Sequence, residues 1–380
     1  MVEPDDFGMS AAATLARVAS VSMPGWAASL WQHWQQQVKA APCRLNEFRG
    51  RSPDASDASA THWVESVGHV RLGCRVVEPR RGAAVRGGLV ALHGYVPGMP
   101  LSGEEDEWQG PADRGVLVVA MRVRGFAGSR IDCGDYTGAD GGEANGWISR
   151  GLATEVRKGA DAMDFVLAQG IADVVCVLRA VRHELTRRAG AGAPLMVHGP
   201  SFGGGLAVLA AAQGSLLNGS AVRVDRLVVE HPSLGDWAWR LRMGERAARA
   251  GIGADVWGTM RAMADRAEAM GQMLSAFDAV GHARHVLAPC LAMLAARDET
   301  VPAPTAAAIV NGLSTDPGQR WRFLTPYGHF DGGLRNERRR ALFAACRDDF
   351  LDPGVSALAS MARWEPMMER GERGPGSAGD

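Results

Sequence analysis

Lysine is almost missing from this 380-residue chain: only Lys39 and Lys158 occur, and arginine carries nearly all of the positive charge. The charge total is still ordinary, with 41 basic and 42 acidic residues and a net charge near −1. That balance excludes the basic footprint of a dedicated nucleic-acid binder, and the arginine excess reads as coding bias. No apolar run reaches the ~18 residues that a transmembrane helix needs, so no membrane association is expected. The opening Met1-Val2-Glu3-Pro4-Asp5-Asp6 has neither the basic start nor the apolar stretch of a secretory signal. No two of the six cysteines (Cys43, Cys74, Cys133, Cys176, Cys290, Cys346) stand at C-x-x-C spacing. They read as reduced core residues, and the chain as cytoplasmic. There is no G-x-x-x-x-G-K-[ST] phosphate loop and no internal repeat. His282 and His285 are spaced like a helical metal pair, but no third ligand accompanies them. No cofactor and no metal is expected.

What the chain does have is apolar sequence, 46% of its residues, enough for a core that needs no disulfide or metal. Short apolar runs alternate with helical patterns. Gly88 to His93, Val116 to Met121, Leu195 to His198, Leu227 to Glu230, Cys290 to Leu294 and Trp321 to Leu324 read as strands. Ile171 to Leu185, Gly204 to Leu217, Pro304 to Leu313 and Asn336 to Phe350 read as helices, as does Trp26 to Ala41 near the start. This alternation predicts an α/β fold, a mainly parallel sheet with helices on both faces. The expected organisation is one domain over 1–369, with an N-terminal helical extension at about 10–45 and a helical insertion at about 235–283. Residues 50–61 read as a loop, and 370–380 as a disordered tail.

In such sheets chemistry gathers at the carboxyl ends of the strands. There the chain carries Gly199-Pro200-Ser201-Phe202-Gly203, between the strand ending at His198 and the helix starting near Gly204. This is the G-x-S-x-G turn in its required context, a sharp strand–helix corner that lifts the serine hydroxyl above the sheet. A serine nucleophile needs a base, and the base an orienting carboxylate. In this fold they follow in the order serine, acid, histidine. His329, in Tyr327-Gly328-His329-Phe330 after the strand ending at Leu324, is the candidate base, ahead of His231, His282 and His285. Asp298, after the strand Cys290 to Leu294, is the candidate acid, ahead of Asp278 and Asp316. The backbone N–H groups of Phe202, following the nucleophile, and of the His93-Gly94-Tyr95 loop are the candidate oxyanion donors.

With these residues placed, the chain resembles the acetyl xylan esterase and cephalosporin-C deacetylase family of α/β-hydrolases over roughly 26–350. His93-Gly94-Tyr95 resembles the family's H-G-Y loop, which implies the Tyr95 amide as an oxyanion donor. Arg124-Gly125-Phe126 resembles its R-G-Q motif, and Gly146-Trp147-Ile148-Ser149-Arg150-Gly151 its G-x-x-[TS]-R-G segment. Trp31-Gln32-His33-Trp34 and the approach Asp278 to Val286 are similar as well. The resemblance implies a serine esterase that removes acetyl or other short acyl groups from a small or sugar-like ester, with Ser201, Asp298 and His329 as its triad. Arg124, Phe126 and Trp147 would belong to the substrate pocket, and a hexamer is implied by the resemblance alone. Two positions depart from the pattern: Phe126 and Phe202 stand where the family has glutamines. Both replacements would make the site more apolar, favouring esters of apolar alcohols over acetylated sugars. The alternatives are the same triad acting on another ester, an amide or a peptide, and a family member that only binds ligands.

Overall fold

The six strands read from the sequence form the centre of one ten-stranded sheet. The structure, a computed structural model, describes residues 6–48, 59–95, 104–126, 129, 146–217, 222–330 and 333–370. The strands are β1 (Leu45–Glu47), β2 (His62–Glu65), β3 (Arg71–Val77), β4 (Gly87–Ala91), β5 (Val116–Met121), β6 (Leu195–Pro200), β7 (Arg226–Glu230), β8 (Cys290–Ala295), β9 (Arg320–Thr325) and β10 (Glu369–Arg370). Their order across the sheet is β1-β2-β3-β5-β4-β6-β7-β8-β9-β10. The block from β5 to β9 is parallel, while β1, β2, β3 and β10 are antiparallel to their neighbours.

The central strands are apolar on both sides because both faces are covered. In β5, Leu117, Val119 and Met121 enter one apolar core, and Val116, Val118 and Ala120 the other. The first core is closed by α2 (Ala27–Ala40), α4 (Val166–Arg188), α5 (Phe202–Ser215) and α10 (Ala303–Asn311), with the short α1 (Ala11–Leu15) against α10. The second is closed by α3 (Glu104–Asp113), α11 (Gly333–Phe350) and α12 (Ala357–Met361). Between β7 and β8 run α6 (Trp237–Met243), α7 (Gly251–Ala262), α8 (Ala267–Ala276) and α9 (Ala279–Ala283), across the stretch read as an insertion.

The strands that the sequence reading missed are the antiparallel ones. β2 and β3 carry His62, Glu65, Arg71 and Arg75 among their apolar residues, so neither shows the uninterrupted run that marks a buried parallel strand. β10 pairs Arg370 with Trp321, so residue 370 belongs to the sheet rather than to a tail. Cys133, most of the 50–61 loop and the tail beyond 370 lie outside the described residues.

The order β5-β4-β6 reverses direction at β4 and β6, which creates a crevice at the carboxyl ends of these strands. Ser201 follows β6 at that crevice.

Candidate active site

Ser201 joins β6 to α5 with φ 51° and ψ −113°, a backbone conformation that a residue with a side chain rarely adopts. The flanking glycines allow the corner. A Cβ on Gly199 would lie 2.2 Å from the carbonyl of Gly203, and one on Gly203 would lie 2.6 Å from the His93 carbonyl oxygen. The corner is tied on both sides: Ser201 N–H donates to the Glu230 carbonyl (2.6 Å), and Ser233 N–H donates to the Ser201 carbonyl (3.0 Å). Strain held this firmly at a strand end points to function. The Phe202 amide opens α5 and has no acceptor within the helix, so it is available as an oxyanion donor.

Two and three strands away from β6, β8 and β9 deliver the second pair. His329 Nδ1 lies 2.7 Å from Asp298 Oδ2, with His329 5% and Asp298 1% exposed. Asp298 Oδ1 accepts the amides of Thr300 (2.8 Å) and Val301 (2.7 Å), so both carboxylate oxygens are engaged and the side chain cannot swing. Burial by itself would raise the Asp298 pKa. The adjoining His329, His231 and the Val301 amide outweigh it and hold the carboxyl below its ordinary value. The His329 carbonyl is clamped in turn by the Arg340 guanidinium.

Ser201 and His329 line one cavity of about 440 Å³. A carboxylate-anchored imidazole sharing a cavity with a serine on a strained corner can pass a proton from the hydroxyl to a leaving group. The Tyr95 loop contributes to the same cavity. Tyr95 O–H donates to Asp255 on α7 (2.8 Å) and accepts from the Ile148 amide (3.2 Å), while Asp255 also accepts from Gly146 N–H (2.8 Å). Burial and the Asp255 charge both push the Tyr95 phenol above its ordinary pKa, so it stays protonated. His93 Nδ1 bonds the Gly94 carbonyl (2.7 Å), and its Nε2 accepts the Val123 amide (3.2 Å), which fixes the loop from within. Burial, with the Arg122 charge in support, lowers the His93 pKa to about 3, so this ring is neutral.

A family model described as acetyl xylan esterase matches residues 34–344. The chain belongs to the acetyl xylan esterase family. It is a carboxylic-ester hydrolase of the deacetylase type, with the α/β-hydrolase fold. Among solved structures it resembles the acetyl xylan esterase from Paenibacillus sp., at 19% identity and a TM-score of 0.66, over 89% of this chain and 99% of that one. Acetyl xylan esterase 1 from Thermoanaerobacterium sp. is alike at 19% identity and a TM-score of 0.65, over 89% and 98% of the two chains. No curated protein is matched by sequence.

The family motifs are not all in the cavity wall. Arg124, Phe126 and Trp147, expected in the substrate pocket, pack behind it and are absent from its lining. Arg124 is buried in a bond to Asp173 (2.6 Å), with further bonds to Gln169 (2.9 Å) and the Val67 carbonyl (2.9 Å). Trp147 Nε1 donates to the Arg124 carbonyl (2.9 Å). Phe126 and Phe202 are nearly parallel at 5.8 Å, inside a cluster with His93, Tyr95 and Trp147. Their rings therefore fill the core beneath the Tyr95 loop. They do not make the pocket apolar, and the substrate preference read from them loses its basis.

The competing residues have other work. Asp278 caps α9 and accepts the amides of Asp236 (3.0 Å), Trp237 (2.9 Å) and Val280 (2.9 Å). Asp316 accepts the Gly318 amide (2.7 Å) at a surface turn. His282 is bonded at both ring nitrogens, to Gln213 (3.0 Å) and the Ala276 carbonyl (2.9 Å), as a core residue. Among the described residues no group of three or more His, Cys, Asp or Glu is placed to hold a metal, and no helix is long and apolar enough to cross a membrane.

Sequence reasoning missed two features of the cavity. His231, set aside as a base, stands with its Nδ1 3.9 Å from Asp298 Oδ2 and its ring 5.3 Å from that of His329. Burial drops its pKa to about 4, despite Asp298, so it is neutral near pH 7. The second is a further histidine–carboxylate pair in the lining, His198 and Glu230, 2.8 Å apart. His198 interrupts the apolar run of β6, which was the available signal, whereas Glu230 ends β7 and gave none.

Proposed function

We propose that Ser201 attacks the carbonyl carbon of a short-chain, acetyl-type ester. His329 takes the hydroxyl proton and returns it to the departing alkoxide, and Asp298 fixes the imidazole tautomer through Nδ1. The resulting acyl-enzyme is hydrolysed by water under the same base. The Phe202 and Tyr95 amides stabilise the tetrahedral oxyanion. The observation that carries this reading is the strained Ser201 corner facing a cavity that His329 also lines, with His329 bonded to a buried, doubly anchored Asp298. Acetylated sugars and the acetate of cephalosporin C are the proposed substrate types, supported by family membership.

The proposed compartment is the cytoplasm, supported by five free, buried cysteines among the described residues. The proposed partner is the small-molecule ester alone, in a homo-oligomer whose hexameric form rests on family resemblance. The deciding experiment is turnover of acyl esters of rising chain length, wild type beside Ser201→Ala. Acetate should lead the series, and the variant should lose activity on every member. A folded Ser201→Ala protein that still turns over esters would remove the nucleophile assignment.

A further inference from the structure

The cavity lining mixes two kinds of side chain. Leu92, Ile252, Val301 and Phe330 are apolar, whereas β6, β7 and α3 contribute His198, Glu230 and Glu107. Within this lining His198 Nε2 donates to Glu230 Oε1 at 2.8 Å. The pair is held from behind: the Trp108 ring meets the His198 ring edge-on at 4.9 Å, and the Arg347 guanidinium lies 4.3 Å from the Trp108 ring centre. His198 is 3% exposed at its side chain, whereas Glu230 keeps 17% and lines the cavity.

Only one oxygen of Glu230 is used. Oε2 has no protein partner among the described residues, and the two guanidinium groups nearby are engaged elsewhere. Arg340 donates to the His329 carbonyl, and Arg347 to Glu107 at 3.0 Å. The carboxyl is ionised: burial pushes its pKa up, but the His198 bond and the Arg347 charge outweigh burial and bring it down to about 2. Oε2 is not among the buried polar atoms that lack a partner, so it is open to the cavity and within reach of a ligand. A ligand that brings a donor there gains a charge-assisted bond. The residue is also tied to the chemistry, because its own carbonyl accepts the Ser201 amide at 2.6 Å.

We propose that Glu230, positioned by His198, is a specificity-determining residue that binds a cationic or hydroxyl donor on the non-reacting part of the ester and rejects substrates carrying a carboxylate there. The proposal rests on Ser201 as the nucleophile. It adds a ranking that this assignment does not contain: ammonium over hydroxyl over carboxylate.

The test uses phenyl acetates of matched size with a para aminomethyl, hydroxymethyl or carboxymethyl group. In the wild type, kcat/KM should fall in that order, by about tenfold or more from first to last, as expected for a charge-assisted bond exchanged for like-charge repulsion. Glu230→Gln should compress the series, through a higher KM for the ammonium ester and a lower KM for the carboxylate ester. A purely structural role would lower all three together. Binding to Ser201→Ala separates the two readings and needs no Glu230 variant: benzylammonium should bind about tenfold more tightly than phenylacetate, and added salt should narrow the gap. Equal binding of the two ions, or a wild-type kcat/KM indifferent to charge, overturns the proposal and leaves the esterase intact. Esterase activity retained by Ser201→Ala would instead overturn the nucleophile.

Discussion

Two polar clusters lie at the carboxyl edge of the sheet, and they differ in how fully their atoms are used. Around Arg124 each named group is bonded: Asp173 accepts from the Arg124 guanidinium, from the Arg124 amide (2.9 Å) and from Ser66 (2.6 Å), and Gln169 and Val67 take further N–H groups of Arg124. Around Ser201 the pattern reverses. The backbone is strained, and among the described residues His231 has no hydrogen-bond partner for either ring nitrogen and His198 Nδ1 and Ser233 Oγ are buried without one. A saturated cluster stabilises a fold, whereas an unsaturated one at a cavity costs stability and is kept for its chemistry. Polar residues after a strand do not distinguish the two cases; the bonds left unmade do.

The comparison breaks most visibly at the triad. Ser201→Ala and His329→Ala should each lower ester hydrolysis by about three orders of magnitude or more with the fold unchanged, read as kcat/KM on an aryl acetate beside circular dichroism. Asp298→Asn should cost somewhat less, about a hundredfold or more, because the imidazole loses the acceptor that fixes its tautomer. Asp278→Asn, which alters a helix cap and a loop anchor, should act on thermal stability and much less on turnover. A larger kinetic loss from Asp278→Asn than from Asp298→Asn would show that the wrong carboxylate serves the base.

In the saturated cluster the effect should move from rate to stability. Arg124→Met leaves the Asp173 carboxylate buried with its main cation gone, a change that costs about 3–5 kcal/mol in comparable buried pairs. Denaturant unfolding should show that loss. Replacing both residues by apolar ones of similar size should recover part of it. The folded fraction of Arg124→Met should keep kcat/KM within about tenfold of wild type, since its bonds to Asp173, Gln169 and Val67 lie outside the cavity lining. A collapse in rate without a loss of stability would return Arg124 to the pocket.

This contrast also accounts for what the sequence could disclose. The parallel strands were legible because burial on both faces leaves one continuous apolar run, as in Val116 to Met121. That Ser201, Asp298 and His329 would come to one edge of the sheet was legible because chain order and strand ends constrain where such residues fall. β1 to β3 were not: β1 is only three residues long, and the antiparallel β2 and β3 mix His62, Glu65 and Arg71 with apolar residues and lose the run. Arg124, Phe126 and Trp147 were located by motif but not by depth. A motif gives distance along the chain, and whether a ring faces the cavity or the core beneath it depends on packing against Phe202 and His93, residues distant in sequence. Glu230 and Asp255 were invisible for the same reason: their partners His198 and Tyr95 lie 32 and 160 positions away.

The smallest expected effect tests how the oxyanion loop is held. If Tyr95 contributes its amide to the reaction, its hydroxyl is only an anchor, joining the loop to Asp255 on α7 and to the Ile148 amide. Tyr95→Phe keeps the amide and removes the anchor, so kcat should fall by roughly two- to tenfold with KM little changed, the size of a positional loss rather than of a lost donor. Asp255→Leu should act to a similar extent, and the double variant no worse than either single, because both break one link. Asp255→Asn should be milder, since its carbonyl oxygen can still accept from the Tyr95 hydroxyl and from Gly146. A drop beyond about a hundredfold in Tyr95→Phe would instead mean that the hydroxyl itself reaches the reacting oxygen. The loop would then belong with the unsaturated cluster by its side chain as well as by its backbone.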